Sequence, residues 1–126
     1  YVMSELIYKE EAYEITGICM EVHNELGPGL LEIIYKDAIE WETDSRFISY
    51  EREKEYPVYY KQHLLRRKFN ADFVLYDKII LEVKAKESIS NEDIAQTINY
   101  LKLSGCKLGL LINFGRSRLE VKRLVY

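Results

Sequence analysis

The stretch Lys68-Phe69-Asn70-Ala71-Asp72-Phe73-Val74-Leu75-Tyr76-Asp77-Lys78-Ile79-Ile80-Leu81-Glu82-Val83-Lys84-Ala85-Lys86 decides the fold. Two apolar runs, Phe73 to Leu75 and Ile79 to Leu81, flank Tyr76-Asp77-Lys78. Such runs about a short polar break read as two strands and a turn. In an antiparallel hairpin, directly opposed residues have numbers with a constant sum. If Tyr76-Asp77-Lys78 is the loop, Leu75 faces Ile79 and, counting back, Asp72 faces Glu82. Opposed residues share one side of the sheet, which brings the two carboxylates to about 5 Å. Lys84, two positions past Glu82, shares that side. A loop one residue shorter or longer would put the carboxylates on opposite faces unless a bulge restored the phase.

Like charges placed directly opposite are destabilising, so a pair set there calls for something between them. A divalent cation meets that need. Magnesium takes oxygen ligands and is held by one or two carboxylates with water and substrate phosphate. Such an ion acidifies water and neutralises charge on phosphate, and a lysine beside it can orient the attacking water or stabilise developing charge. The same spacing also fits an ordinary hairpin whose wet face carries the charges, the lysine simply pairing with the acids. Glu120-Val121-Lys122 repeats Glu-x-Lys with Leu110 in place of an upstream aspartate. The motif alone is therefore weak, and the paired Asp72 in an apolar hairpin adds the weight.

Outward from this hairpin, the first half of the chain reads as helical. From Glu10 to Leu26, apolar Ala12, Ile15, Cys19, Val22 and Leu26 recur every three or four residues. Gly27-Pro28-Gly29 stops that helix. A second helix is expected from Leu30 to Arg46, burying Leu31, Ile34, Ala38 and Trp41. Tyr56-Pro57-Val58-Tyr59-Tyr60 suits a strand, at an edge or a strand start because of Pro57. A third helix is expected from Asn91 to Ser104 with Ile94, Ala95, Ile98 and Leu101 inward, closed by Gly105. Leu108 to Phe114 reads as a strand buried on both faces, and Leu119 to Tyr126 as a final strand. The expected order is α-α-β-β-β-β-α-β-β, a mixed sheet flanked by helices in the α/β class.

The 126 residues fit one domain, spanning 1–126. Met3 is the expected natural start, with Tyr1 and Val2 an addition ahead of it. Two distant cysteines without metal-type spacing suit reduced thiols, hence a cytoplasmic location. No apolar run approaches the roughly 20 residues of a membrane span, and no signal peptide is expected. The net charge of -3 argues against coating nucleic acid by bulk electrostatics but leaves room for a local basic groove. Basic residues cluster at Arg66, Arg67 and Lys68, at Lys84 and Lys86, and from Arg116 to Arg123; a solvated surface is the plain account of any one cluster.

Two helices offer further candidates. Glu32 and Tyr35 share a helical face, and Glu32 lies in a first turn, where the helix dipole alone favours a carboxylate. Gln96 and Tyr100 share a face of the third helix, which an amphipathic edge would also explain. His23 has no Cys or His nearby in sequence and reads as packed or capping rather than metal-binding.

The stretch from Val22 to Tyr35, containing Gly29, Glu32 and Tyr35, resembles the signature of the GxxExxY proteins. The resemblance continues through Ala71-Asp72-Phe73-Val74, Leu81-Glu82-Val83-Lys84-Ala85, Ala95 to Leu101 and Leu110 to Gly115, covering nearly the whole chain. That family is grouped by resemblance with the PD-(D/E)XK nucleases, which implies a restriction-endonuclease-like mixed sheet with flanking helices. It also implies Asp72, Glu82 and the Val83 carbonyl as ligands of Mg²⁺ or Mn²⁺, Lys84 as the catalytic lysine, and Glu32 as the acidic residue from an early helix. Gln96 matches the polar residue on the helix after the Glu-x-Lys strand and Tyr100 follows it, the two being expected to contact the lysine or substrate phosphate. Ala71 stands where the motif has proline. The implied activity is hydrolysis of phosphodiester bonds, in DNA before RNA. The rival is a catalytically inactive binding or regulatory module of the same fold. A homo-oligomer building its groove across a subunit interface is a further reading.

Overall fold

The computed structural model describes Leu6 to Tyr126; the expected start at Met3 lies outside the described residues. Helix α1 (Lys9–Leu26) and helix α2 (Glu32–Ser45) precede strands β1 (Tyr50–Tyr60), β2 (His63–Leu75) and β3 (Ile79–Lys84). Helix α3 (Asn91–Ser104) then crosses over to β4 (Leu108–Asn113) and β5 (Glu120–Val125). The five strands form one mixed sheet in the order β1-β2-β3-β4-β5, with β3 and β4 parallel and all other pairs antiparallel. The α/β class and flanked mixed sheet are as expected, with three strands rather than four ahead of α3, because Tyr50 to Tyr60 is a single strand.

The hairpin register is the one counted from sequence. Leu75 pairs with Ile79, Val74 with Ile80 and Phe73 with Leu81, about a loop of Tyr76, Asp77 and Lys78. Left-handed backbone at Tyr76 and Asp77 tightens that turn. Strands β3 and β4 are buried and, apart from Glu82, Lys84 and Asn113, apolar, because helices cover both their faces. On one face Ile15, Ile18 and Cys19 of α1 and Tyr35 and Ile39 of α2 pack with Phe73, Leu81, Val83 and Ile112. On the other, Tyr100 and Leu101 of α3 pack with Ala71, Val74 and Ile80.

The buried stripe of α2 differs from expectation. Tyr35, Lys36, Ile39 and Thr43 are inside, whereas Leu31, Ile34 and Trp41 are exposed and Ala38 is half-buried. The helix is turned by about one residue because two polar groups find partners within. Tyr35 Oη donates to the Gly27 carbonyl at 2.6 Å and accepts from the Leu30 N–H at 3.1 Å, while Lys36 reaches acids described below. The Tyr35 ring also stacks on Phe114, centroids 4.6 Å apart.

Helix α3 is offset likewise: Asp93, Thr97, Tyr100 and Leu101 are buried, Ile94 and Ile98 half-buried, and Ala95 exposed. Its start is fixed by a capping box in which Ser90 and Asp93 bond reciprocally. Gly105 closes it with a left-handed backbone, as expected. Cys19 is buried and Cys106 half-exposed, both free thiols. No described helix is long and apolar enough to cross a membrane.

Tyr35→Phe keeps the stack on Phe114 but removes both bonds to the loop after α1. It should cost about 1 kcal/mol, read as a lowered urea midpoint. An unchanged midpoint would show that the loop does not depend on the hydroxyl.

Candidate active site

Strand β2 leaves β3 after the Phe73–Leu81 pair, and the ladder does not continue through Asp72 and Glu82. The two carboxylates fill the opening instead. Glu82 Oε2 accepts from the Asp72 N–H at 2.8 Å, and Asp72 Oδ2 accepts from the Val83 N–H at 2.8 Å. Side chains thus replace the missing ladder bonds, which leaves no buried backbone donor unpaired there. Both acids are buried, Asp72 at 9% and Glu82 at 2% exposure. The convergence expected from register is present, although as a crossed exchange at a strand opening rather than as a simple opposed pair.

Burial, and then the charge of Asp72, push the Glu82 carboxyl up to about 8. The Asp72 N–H and the positive charges of Lys84 and Lys36 act the other way. The pair therefore resists full ionisation when no further cation is present.

Two residues that sequence reading does not single out attend this pair. Lys36 Nζ of α2 donates to Asp72 Oδ1 at 2.9 Å and also to Glu53 Oε1. Burial works against the Lys36 charge, but its bonds to Glu53 and Asp72 outweigh that and hold its pKa above the ordinary lysine value. Glu53 interrupts β1 with a left-handed backbone, φ 55°. Lys36 follows the Glu32 to Tyr35 motif directly and shares a helical face with Glu32 at i, i+4, the one sequence signal that could have found it. Nothing local marks Glu53.

The remaining candidates come from both flanking layers. The half-buried Glu32 carboxyl is pushed upward by burial and then by Asp72, against the pull of Lys84 and Lys36. It therefore lies within the electrostatic reach of the pair. Lys84 Nζ stands 3.4 Å from Gln96 Oε1 of α3, a long contact. Tyr100 is buried against Phe69, edge to face with centroids 6.1 Å apart. Burial, then the charges of Glu82 and Asp72, push its phenol up to about 12.

The chain leaving β3 past Lys84 is clamped. Asn113 Oδ1 accepts from the Lys86 N–H at 3.0 Å and its Nδ2 donates to the Lys86 carbonyl at 2.9 Å. Gly115 lies so close that a Cβ there would come 2.1 Å from the Lys86 carbonyl oxygen. Lys86 Nζ donates to Asp93 Oδ2 at 2.9 Å, tying the same segment to the α3 capping box. His23, read as structural, donates from Nε2 to the Arg116 carbonyl at 2.8 Å. The second Glu-x-Lys sits on edge strand β5, where Glu120 accepts from Asn113 Nδ2 at 3.1 Å.

Among the described residues no three Asp, Glu, His or Cys side chains gather to hold an ion. The two carboxylates suffice for magnesium, which takes one or two with water and phosphate completing its shell. Hard oxygen donors and two acids that resist joint ionisation fit such an ion.

Five strands with helices on both faces thus frame an Asp/Glu-x-Lys set at a strand opening. The chain belongs to the PD-(D/E)XK nuclease superfamily, whose family model matches residues 9–124. A search of curated proteins gives no match. Among solved structures, the crystal structure of SSO0001 is similar with a TM-score of 0.59 and 20% identity, over 94% of this chain and 59% of that one. This likeness shows the fold, and the chain spans 59% of that protein's length.

A carboxyl whose folded pKa lies above its unfolded one contributes stability that is complete below the unfolded value, near 4.5 for Glu82. That contribution is lost as pH rises through about 8. With a chelator present, the wild type should lose stability relative to Glu82→Gln as pH rises from about 5 to about 8.5. Parallel pH profiles of their urea midpoints would contradict the burden assigned to ionised Glu82.

Proposed function

We propose that this protein is a metal-dependent nuclease that hydrolyses phosphodiester bonds, with DNA as its substrate. The observation that carries this reading is the buried convergence of Asp72 and Glu82 at the β2–β3 opening, with Lys84 on the strand of Glu82. Asp72, Glu82 and the Val83 carbonyl would hold Mg²⁺ or Mn²⁺. When bound, the ion supplies acidification of water and neutralisation of charge on the phosphate.

The Lys84 ammonium orients the attacking water and offsets negative charge gathering on phosphorus-bound oxygens. Gln96 restrains Lys84 through its carbonyl oxygen, and Tyr100 closes the α3 side of the gap. Glu32, whose carboxyl is pushed upward, takes or returns a proton at its carboxylate oxygen. Superfamily membership supports nucleic acid as the partner. Gly29, Glu32 and Tyr35 support the GxxExxY branch, and the two free thiols support a reducing compartment such as the cytoplasm.

A second reading, a module of this fold without turnover, draws on one observation. Lys36 already sets a fixed positive charge on Asp72 Oδ1, which offsets that carboxylate without a metal.

Both readings meet in one comparison. With Mg²⁺ or Mn²⁺ and labelled DNA, Lys84→Ala should cleave about 10²–10³-fold more slowly than wild type while still binding Mn²⁺ by calorimetry. Asp72→Asn should lose both cleavage and Mn²⁺ binding. Equal cleavage by wild type and Lys84→Ala would refute the role of the lysine. Absence of carboxylate-dependent Mn²⁺ binding in the wild type would favour the module.

A further inference from the structure

The β1–β2 hairpin outgrows the sheet. Strand β3 pairs with β2 only from Phe73 to Leu75, so among the described residues His63 to Lys68 has β1 alone as a strand partner. The base of this arm is seated on α3, where Tyr56 and Phe69 pack against the cluster that contains Tyr100. Beyond that base it runs free to a turn at Lys61 and Gln62, both left-handed. The four steps from Tyr56 to Tyr60 give it a reach of about 13 Å.

Its charge is unlike that of the rest of the chain. From Tyr56 to Lys68 it carries Lys61, Arg66, Arg67 and Lys68 and no acid, within a protein of net charge -3. Lys68 pairs with Glu55 at 3.5 Å. Lys61, Arg66 and Arg67 have no carboxylate partner among the described residues. All four are exposed. Between the pairs Pro57–Lys68 and Tyr59–Leu64, Val58 alone faces Leu65, Arg66 and Arg67. A bulge of this kind bends a strand and re-aims its side chains. Here it frees two adjacent arginines from the ladder.

The direction of the arm links it to the site. Asp72 lies where β2 parts from β3, so the strand that forms the arm runs on directly into that site residue. Arg66 is six residues from Asp72, about 20 Å of strand, the rise of about six steps of duplex. We propose that this basic arm binds the phosphate backbone of a nucleic acid and lays it across the Asp72–Glu82 opening, a role that rests on the nuclease reading above. Unpaired guanidiniums favour a polyanion and disfavour a second copy of the same positive arm.

The test is fluorescence anisotropy of a labelled DNA duplex, its RNA counterpart and the corresponding single strands, in chelator so that nothing is cleaved. Arg66→Ala/Arg67→Ala is compared with Lys102→Ala/Lys107→Ala. The second pair removes the same charge outside the arm, from the last turn of α3 and the residue before β4. The arm variant should bind at least about tenfold more weakly at low salt, with the salt slope reduced by about 2. The control should stay within about twofold of wild type. Circular dichroism checks the fold, and Lys61→Ala/Arg66→Ala gives a second reading of the same arm.

Equal losses in arm and control variants, no loss in either arm variant, or no wild-type binding to any of the four ligands would overturn the proposal. So would a dimer in sedimentation that Tyr59→Ser/Leu64→Ser dissociates while nucleic-acid binding is unchanged. Failure of the nuclease reading looks different: arm-dependent binding persists, yet neither wild type nor Lys84→Ala cleaves when Mg²⁺ is restored.

Discussion

Two carboxylates held together in a low-dielectric opening between strands are the constraint to which the rest of the structure responds. An isolated pair of buried acids is costly. Each therefore accepts a backbone N–H that the parting of β2 from β3 would otherwise leave unpaired. Charge is offset from both layers, by Lys36 on α2 and by Lys84 next to α3. Even so, burial and Asp72 keep Glu82 prone to hold a proton. On the proposed reading, a divalent cation would supply the charge that the pair lacks and displace that proton.

Much of the remaining polar structure keeps the opening in shape. Tyr35 bonds to the loop between α1 and α2 and stacks on Phe114, which fixes the start of the helix that carries Glu32 and Lys36. Asn113 holds the backbone of Lys86 in both directions, and Gly115 permits a contact that a side chain would block. Asp93 serves the capping box and the Lys86 ammonium together, which sets α3 and with it Gln96. Residues that look catalytic by motif thus divide into those that face the opening and those, such as Tyr35, that hold its walls.

The turn of α2 and α3 away from their apolar stripes has the same origin. Periodicity places hydrophobic side chains inward by default. It cannot register that Lys36 meets the buried Asp72, or that Asp93 bonds Ser90 and the Lys86 ammonium. Those partners make burial of polar residues favourable and send Leu31, Ile34, Trp41 and Ala95 outward. The outer half of β2 escaped notice for a related reason: His63 to Lys68 is wholly exposed, with three basic residues in a row, and it is a strand because β1 lies beside it.

Local chemistry determined a good deal by itself. The hairpin register follows from the length of its loop, the run from Leu108 to Phe114 from its apolarity, and the helix ends from Gly27 and Gly105, because each depends on neighbours in the chain. From these the approach of Asp72 to Glu82 was legible, with Lys84 two positions further along the strand of Glu82. Only the tertiary structure decided that β2 parts from β3 at that point, that Lys36 joins Asp72 to Glu53, and that a basic arm extends from the strand that carries Asp72. Those outcomes depend on contacts between residues far apart in sequence, whose free energies are set by which partner arrives and how dry the meeting place is.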